Sequence, residues 1–144
     1  MAPWVPVLLL SFYLPCAWTT KICAFNAQHF GVNKVAKNHI LDIMVKIIQR
    51  CDICLLQEVQ DPKGLALSQL LRSLNRAHVR DVFMAVSSPS LGRKSYMEQY
   101  VFVYRSDKVK VSDQYKYADD HSVTPDAFAR EPYIVRFSLL QKGQ

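Results

Sequence analysis

Apolar residues recur at three- and four-residue intervals in two stretches of the chain. Residues 33–50 carry them at Ala36, Ile40, Ile43, Met44 and Ile47, and charged side chains occupy the remaining faces. Residues 67 to about 77 repeat the spacing with leucines, after a break at Asp61-Pro62-Lys63-Gly64. This spacing places the apolar side chains on one face of a helix. Two amphipathic helices are therefore predicted.

Shorter apolar stretches around these helices have the length and composition of strands. Lys21–Ala27 is predicted as a first strand that ends at Asn26. Ile53–Leu56 is predicted as a strand buried on both faces, which ends at Gln57-Glu58. The second half of the chain is rich in Val, Tyr and Phe with partial alternation, and it predicts four more strands: Val82–Ser87, Gln99–Arg105, Val109–Tyr117 and Tyr133–Leu139.

The order of these elements predicts an α/β sandwich. Strand, helix, strand and helix come first and the remaining strands follow, so the sheet should begin parallel or mixed and continue as a meander. The last predicted strand lies close to Gln144, where a hydrophobic edge would be exposed. We expect these residues to form part of a larger fold.

The first twenty residues carry no charge and contain a short apolar run from Val5 to Leu14. The run is too short and too interrupted by proline to span a bilayer, and it is typical of a secretory signal peptide. We predict a signal peptide over residues 1–20 and a domain over residues 21–144, secreted or in the endoplasmic reticulum lumen. An ordinary buried N-terminal segment is the alternative. No later stretch is long enough to cross a membrane, so stable membrane insertion is not expected.

Charge and cysteine content add two constraints. The formal net charge is +6, which favours a polyanionic partner, although a basic soluble surface is equally compatible. With Cys16 in the predicted signal peptide, Cys23, Cys51 and Cys54 remain. In an oxidising compartment an odd number of thiols leaves one free or waiting for a partner outside this chain. Cys54 lies inside an apolar run and is expected to be a buried small hydrophobic residue.

Asn26 and Glu58 each come where a predicted buried strand ends, the position at which α/β sheets place ligands and catalytic groups. Amide and carboxylate oxygens are hard donors that suit magnesium or manganese. Taken separately, a turn cap and a solvated strand end explain these residues as well. Taken together, they are a candidate metal site.

Tyr96 and Glu98 form a second pair. At the start of a strand their side chains point to the same side, because side chains alternate. A phenol beside a carboxylate can contact phosphate and orient a group that carries a proton. An edge strand of mixed polarity is the alternative.

A third group consists of carboxylates on a polar loop: Asp119, Asp120, Asp126 and Glu131. Calcium accepts several oxygens in irregular geometry, so the loop could bind it, although a solvated acidic loop is the alternative. Arg130 could clamp a phosphodiester with its guanidinium or pair with a neighbouring carboxylate.

Four of these motifs, in this order and spacing, closely resemble the deoxyribonuclease I family and lie nearest to its deoxyribonuclease-I-like members. They are Lys-Ile-Cys-Ala-Phe-Asn26, Cys-Asp-Ile-Cys-Leu-Leu-Gln-Glu58-Val, Leu-Gly-Arg-Lys-Ser-Tyr96-Met-Glu98-Gln-Tyr and Phe-Ala-Arg130-Glu131-Pro. The resemblance covers residues 21–140. It implies a two-sheet α/β sandwich of the endonuclease/exonuclease/phosphatase type, truncated here to about its first half, and divalent-metal-dependent hydrolysis of DNA phosphodiester bonds.

The resemblance also implies roles for individual residues. Asn26 and Glu58 would help hold the catalytic Mg²⁺ (or Mn²⁺). Glu98 would be the catalytic carboxylate that orients a histidine acting as general acid or base. Tyr96 and Arg130 would contact DNA phosphates. A structural Ca²⁺ would be bound by Asp119, Asp126, the carbonyl of Phe128 and Glu131.

Several positions depart from the family pattern. Gln28 and Gln60 stand where the family has arginines that touch DNA, so DNA affinity or preference should differ. Actin binding, a property of one branch, is not expected. The general-base histidines and further metal ligands of the family fall outside this chain, and His29, His39, His78 and His121 are predicted to be solvated.

Two functions of different class follow. The first is an exported endonuclease, of which this chain alone would be weakly active or inactive. The second is a non-catalytic basic fragment that binds DNA or a partner. A phosphoinositide, sphingolipid or abasic-DNA substrate, as in distant relatives, is disfavoured by the motifs around Tyr96 and Arg130.

Overall fold

The computed structural model describes residues 19–76, 78, 82–118 and 128–140. Within these ranges the chain forms, in order, β1 (Ile22–Phe30), α1 (Val32–Val35), α2 (Asn38–Ile48), β2 (Ile53–Val59), α3 (Leu65–Asn75), β3 (Phe83–Ser87), β4 (Gln99–Arg105), β5 (Val109–Lys116) and β6 (Tyr133–Leu139).

The strands form two sheets. The first has the order β1-β2-β4-β3, in which β1 and β2 are parallel and the other pairs are antiparallel. The second sheet is the antiparallel pair β5-β6. The predicted α/β class and mixed first sheet are confirmed. The predicted meander is only partly correct, because β4 inserts between β2 and β3 and β5 starts the second sheet.

Strand β4 lies between two hydrophobic layers. Val101 and Val103 pack with α2 and α3 in the larger core, whereas Phe102 and Tyr104 face the second sheet. The ring of Phe137 on β6 lies 5.9 Å from Phe102 and 5.5 Å from Tyr104, centroid to centroid. This alternation is the two-residue period of a strand buried on both faces, and it produces the sandwich.

The single helix predicted over residues 33–50 is wrong in detail. The structure has two helices, with Lys37 in extended conformation between them as the N-cap of α2. The buried face of α2 consists of Leu41, Met44 and Ile48, whereas the predicted face residue Ile43 is 51% exposed. The first of them, α1, is tied to β1, since the Lys34 ammonium donates to the carbonyls of Ala27 and Gln28 at 2.8 and 2.7 Å.

Both parallel strands extend beyond their predicted ends, β1 to Phe30 and β2 to Val59. Their register is regular as far as Asn26–Gln57 and resumes at Phe30–Val59, so β1 carries a bulge. The predicted strands ended early because polar residues interrupt the apolar pattern there. In the structure, pairing between β1 and β2 extends both strands past these polar residues.

A disulfide joins Cys23 on β1 to Cys51, which directly precedes β2. Cys54 is a free thiol with no exposed surface, and burial raises its pKa to about 11. The prediction that Cys54 is a buried small hydrophobic residue is confirmed. Because Cys23 and Cys51 are joined to each other, Cys54 is the one of these three cysteines that is left as a thiol.

Within the described residues, none of the helices combines the length and the apolar character that crossing a membrane requires. The predicted signal peptide, residues 1–20, falls outside the described residues except for its last two positions. Secretion and the domain bounds therefore stay predictions.

Candidate functional site

The site begins with a contact between the two parallel strands. The Asn26 side-chain amide on β1 donates to Glu58 Oε1 on β2 at 2.7 Å. The Asn26 carbonyl oxygen accepts a hydrogen bond of 2.9 Å from the backbone N–H of Gln28, which fixes the orientation of the amide. The two predicted metal ligands therefore meet at one edge of the sheet.

Irregular backbone makes this contact possible. In the register of β1 and β2, Asn26 lies opposite Gln57, so an unbroken strand would turn Glu58 to the other face. Glu58 instead has a φ of 55°, and Gln28 and His29 across the bulge have φ values of 46° and 57°. Non-glycine residues rarely occupy this left-handed region, and it is enriched at functional sites.

Glu98 lies beside this pair and is only 5% exposed. Two backbone hydrogen bonds with Leu91, of 2.7 and 2.8 Å, hold it in an isolated β-bridge ahead of β4. Its Oε2 lies 3.0 Å from Arg130 Nε, as an ion pair rather than a well-aligned hydrogen bond. Its Oε1 is buried and has no hydrogen-bond partner in the part of the chain that the structure describes.

Tyr96 completes the cluster above Glu98. Its hydroxyl lies 3.2 Å from His29 Nδ1, and the Arg130 guanidinium carbon lies 5.3 Å from the centroid of its ring. The pKa of Tyr96 is raised, mainly by its hydrogen bond with the Glu98 side chain, then by burial and by the negative charges of Glu98 and Glu58. The predicted pairing of Tyr96 with Glu98 holds in space, although Tyr96 precedes the strand.

Around these groups lies a pocket of about 170 Å³. It is lined by Asn26, Gln57, Glu58, Glu98, Gln99, Tyr100 and Arg130. The lining combines carboxylates, amides and one guanidinium, which is suited to a cation and to an anion that the cation bridges.

The predicted calcium ligands are described only in part. Asp119 and Asp126 lie outside the described residues. The Phe128 carbonyl accepts a 3.5 Å hydrogen bond from the Arg93 guanidinium, and Glu131 Oε1 accepts one of 2.7 Å from the Lys116 ammonium. The calcium site stays a prediction.

His29 lies next to the predicted site residues, a position that the sequence analysis did not predict. It is exposed, as predicted for a solvated histidine, but it contacts Tyr96 and belongs to a cluster with two carboxylates. One ligand atom from each of His29, Glu58 and Glu98 lies within 4.8 Å of the others. Regular alternation places His29 opposite Asn26, so only the bulge, which the sequence does not display, brings it here.

Fold and site together define an α/β sandwich with a carboxylate-amide pocket at the end of two parallel strands. No model of a known protein family matches the chain. It is 49% identical over 119 residues to "Deoxyribonuclease-1-like 1" from Homo sapiens, covering 83% of this chain and 38% of that protein. It is 43% identical over 133 residues to "Deoxyribonuclease-1" from Oryctolagus cuniculus, covering 92% and 47% respectively.

A solved structure of an endonuclease/exonuclease/phosphatase family protein from Bacteroides thetaiotaomicron matches with a TM-score of 0.44 and 16% identity, covering 68% of this chain and 35% of that one. The chain spans less than half the length of the curated relatives that it matches. Over that span it belongs to the deoxyribonuclease I family, and the resemblance drawn from the four motifs is confirmed.

Proposed function

We propose that this chain supplies the metal-binding side of the active site of a divalent-metal-dependent endonuclease that hydrolyses DNA phosphodiester bonds. The observation that carries the proposal is the 2.7 Å contact between Asn26 and Glu58 at the end of β1 and β2. If the Asn26 amide turns over and gives up its hydrogen bond from Gln28, its oxygen and a Glu58 oxygen can serve one hard cation, Mg²⁺ or Mn²⁺. The curated relatives that the chain matches are named deoxyribonucleases.

The donor set fits such a cation. Glu98 Oε1 is buried without a partner, and a buried carboxylate oxygen normally has one, such as a hydrogen-bond donor or a metal ion. A bound divalent cation would neutralise charge that develops on the phosphate during attack by water. Asn26 and Glu58 would hold that cation at the edge of the pocket.

Glu98 is proposed as a positioning residue. Its unpartnered oxygen is available to accept a hydrogen bond from an imidazole, which would fix the tautomer of a histidine acting as general acid or base. Burial and the ion pair with Arg130 keep the carboxylate in one place.

Arg130 and Tyr96 are proposed to bind the DNA phosphate. The guanidinium lies against the Tyr96 ring and beside Glu98, so it is held before substrate arrives. Planar guanidinium groups bind phosphate oxygens in two-point fashion, and a phenol can donate one more hydrogen bond. Both would orient the scissile phosphate toward the cation.

We further propose a structural Ca²⁺ site formed by Asp119, Asp126, the Phe128 carbonyl and Glu131, and secretion after removal of residues 1–20. Calcium binding would compete with the Lys116 ammonium for Glu131. The net charge of +6 favours DNA as the partner.

The 144-residue chain by itself should bind DNA and metal and cleave weakly or not at all, because it spans less than half the length of the curated relatives. The proposal is tested with residues 21–144 alone and with the same residues joined to the complementary part of human deoxyribonuclease-1-like 1. The joined protein should nick supercoiled plasmid in Mg²⁺ and Ca²⁺.

Glu58→Gln should lower that nicking by about 100-fold or more, as expected when a group that stabilises the transition state is lost. Asp42→Asn is the matched control, since it makes the same chemical change on the exposed face of α2. Equal nicking by Glu58→Gln and the control would overturn the proposal. Salt-sensitive DNA binding without nicking by the joined protein would favour the non-catalytic alternative.

A further inference from the structure

The side chain of Lys34 contacts the irregular end of β1, next to the proposed metal pair. Its ammonium donates to two successive backbone carbonyls, that of Ala27 at 2.8 Å and that of Gln28 at 2.7 Å. In a regular strand successive carbonyls point to alternate sides, so one ammonium could not reach both. The left-handed conformation of Gln28, with a φ of 46°, makes the double contact possible. Lys34 therefore binds the bulge in the conformation that the site requires.

The residues of the bulge need such a restraint. The register of β1 with β2 runs as far as Asn26 and resumes at Phe30, so residues 27–29 have no partner in it. Left-handed backbone at non-glycine residues persists only where the surroundings fix it. Hydrogen bonds donated by an ammonium are short and strong, and Lys34 is half-buried. Its two contacts supply the restraint that strand pairing does not.

One peptide group connects Lys34 to the metal pair. The carbonyl of Ala27 and the N–H of Gln28 belong to the same planar trans peptide, in which they point in opposite directions. The Lys34 ammonium holds the oxygen of this group, and Asn26 Oδ1 accepts a 2.9 Å hydrogen bond from its N–H. Without metal, the peptide is restrained at both ends.

Only one of these restraints is compatible with a cation shared by Asn26 and Glu58. The Asn26 oxygen can reach that cation only by giving up the Gln28 N–H. The Lys34 contacts lie at the other end of the peptide and do not depend on the Asn26 side chain. With metal bound, Lys34 is the side chain that still holds this peptide, among the residues that the structure describes.

We propose that Lys34 is a positioning residue of the metal site, which keeps the bulge in its left-handed conformation while Asn26 turns to the cation. The inference rests on the proposed function, because Asn26 and Glu58 are the proposed ligands. Loss of Lys34 should destabilise the metal-bound state more than the metal-free state, since the Asn26 contact replaces it only in the latter. By linkage, the affinity for Mg²⁺ should fall.

The change of charge alone predicts the opposite result. Removing a positive side chain near a cation site reduces repulsion and should make Mg²⁺ bind slightly more tightly. Lys37→Met is the matched control, because Lys37 is exposed and lines the same surface cavity as Lys34. A weakening found with Lys34→Met and absent from the control therefore cannot result from lost charge.

Calorimetry on the full chain measures Mg²⁺ binding by the wild type, Lys34→Met, Lys34→Arg, Lys37→Met and Glu58→Gln, and far-ultraviolet circular dichroism checks that each variant folds. Lys34→Met should weaken binding by about tenfold, as expected when hydrogen bonds from a charged group are lost from one of the two states. Lys34→Arg keeps the charge and can donate to both carbonyls, so it should recover most of the affinity. Lys37→Met should bind Mg²⁺ at least as tightly as the wild type.

A measurement on the unaltered chain does not depend on how the variants fold. In nuclear magnetic resonance spectra, the signal of the Lys34 ammonium should persist when Mg²⁺ is added, because its contacts remain. The amide proton of Gln28 should shift, because it loses the Asn26 oxygen. The inference is overturned if the ammonium signal disappears with Mg²⁺, if the Gln28 amide does not shift, or if Lys34→Met binds Mg²⁺ as Lys37→Met does.

The proposed function fails by a separate result. If Glu58→Gln leaves Mg²⁺ binding unchanged, the metal pair itself is refuted. If Glu58→Gln loses Mg²⁺ binding while Lys34→Met keeps it, the metal pair stands and only the positioning role of Lys34 is refuted.

Discussion

Replacement of Asp52 by asparagine should lower the free energy of unfolding at pH 7 by about 2 kcal/mol. Asp52 is 7% exposed and directly precedes β2, the strand that carries Glu58. Its carboxylate accepts a 2.6 Å hydrogen bond from the Lys108 ammonium and one of 2.8 Å from the backbone N–H of Lys21. Asparagine keeps one acceptor oxygen but loses the negative charge and places an N–H₂ group where a donor already points.

The magnitude follows from the two bonds. A hydrogen bond to a charged group contributes about 1.5–3 kcal/mol, and the Lys108 contribution is discounted because half of its side chain is exposed to solvent. The matched control is Asp107→Asn, a neighbouring carboxylate in an exposed ion pair, which should change stability by less than about 0.5 kcal/mol. Urea denaturation followed by tyrosine fluorescence measures both.

The same network predicts a pH dependence. Burial alone would raise the pKa of Asp52, but the Lys108 and Lys21 hydrogen bonds and the charges of Lys108 and Arg105 hold it below its ordinary value of 3.8. The unfolded chain therefore binds this proton first as pH falls. The stability from Asp52 is fully present above about pH 5 and is lost as pH falls through the folded-state pKa. A wild-type acid profile parallel to that of Asp52→Asn, or a loss at pH 7 no larger than in the control, would refute this reasoning.

Three further changes to the protein have expected outcomes that can be measured. Reduction of the Cys23–Cys51 disulfide, whose cysteines are 28 residues apart, should lower the free energy of unfolding by about 3.5 kcal/mol, measured as the shift of the urea midpoint with and without reductant; an unchanged midpoint would contradict it. Gly31→Ala should cost about 1–3 kcal/mol, because the added Cβ would lie 2.8 Å from a backbone carbonyl oxygen, and thermal denaturation should detect it. Glu98→Gln should bring the pKa of Tyr96 down toward its ordinary value, since Glu98 is the main cause of the increase; a spectrophotometric titration that leaves the pKa unchanged would exclude that cause.

The sequence predicted the elements well because the apolar period of each one is decided locally. The strands of the second half were placed to within a residue or so, and the face alternation in β4 is visible in its letters. The break before α2 could not be predicted, because Ala36 and Ile40 continue the helical spacing across it. The disulfide partner of Cys23 could not be predicted either, because it depends on how β1 and β2 pair in the tertiary structure.

There is also a physical reason why one part of the site could not be predicted from the sequence. Asn26 and Glu58 were found because polar residues follow apolar strands, a signal that needs no tertiary information. His29 lies on a bulge and has a left-handed backbone conformation. The amino-acid sequence does not distinguish a residue on a bulge from one on a regular strand. The prediction therefore failed at a position where the folded backbone departs from the local conformational preference of the sequence. Such departures are expected at functional sites.

The two ends of the β1-β2 pair have opposite roles. At one end the disulfide and the buried Asp52 network fix the start of both strands, and the helices pack over their apolar middle. At the other end Gln28, His29 and Glu58 hold left-handed conformations that cost about 1–3 kcal/mol each when the surroundings do not offset them. Phe30 and Val59, both 1% exposed or less, resume the pairing just beyond the irregularity and confine it between two fixed points. Loss of the Asp52 or disulfide anchors should therefore weaken metal binding at the far end before the whole domain unfolds.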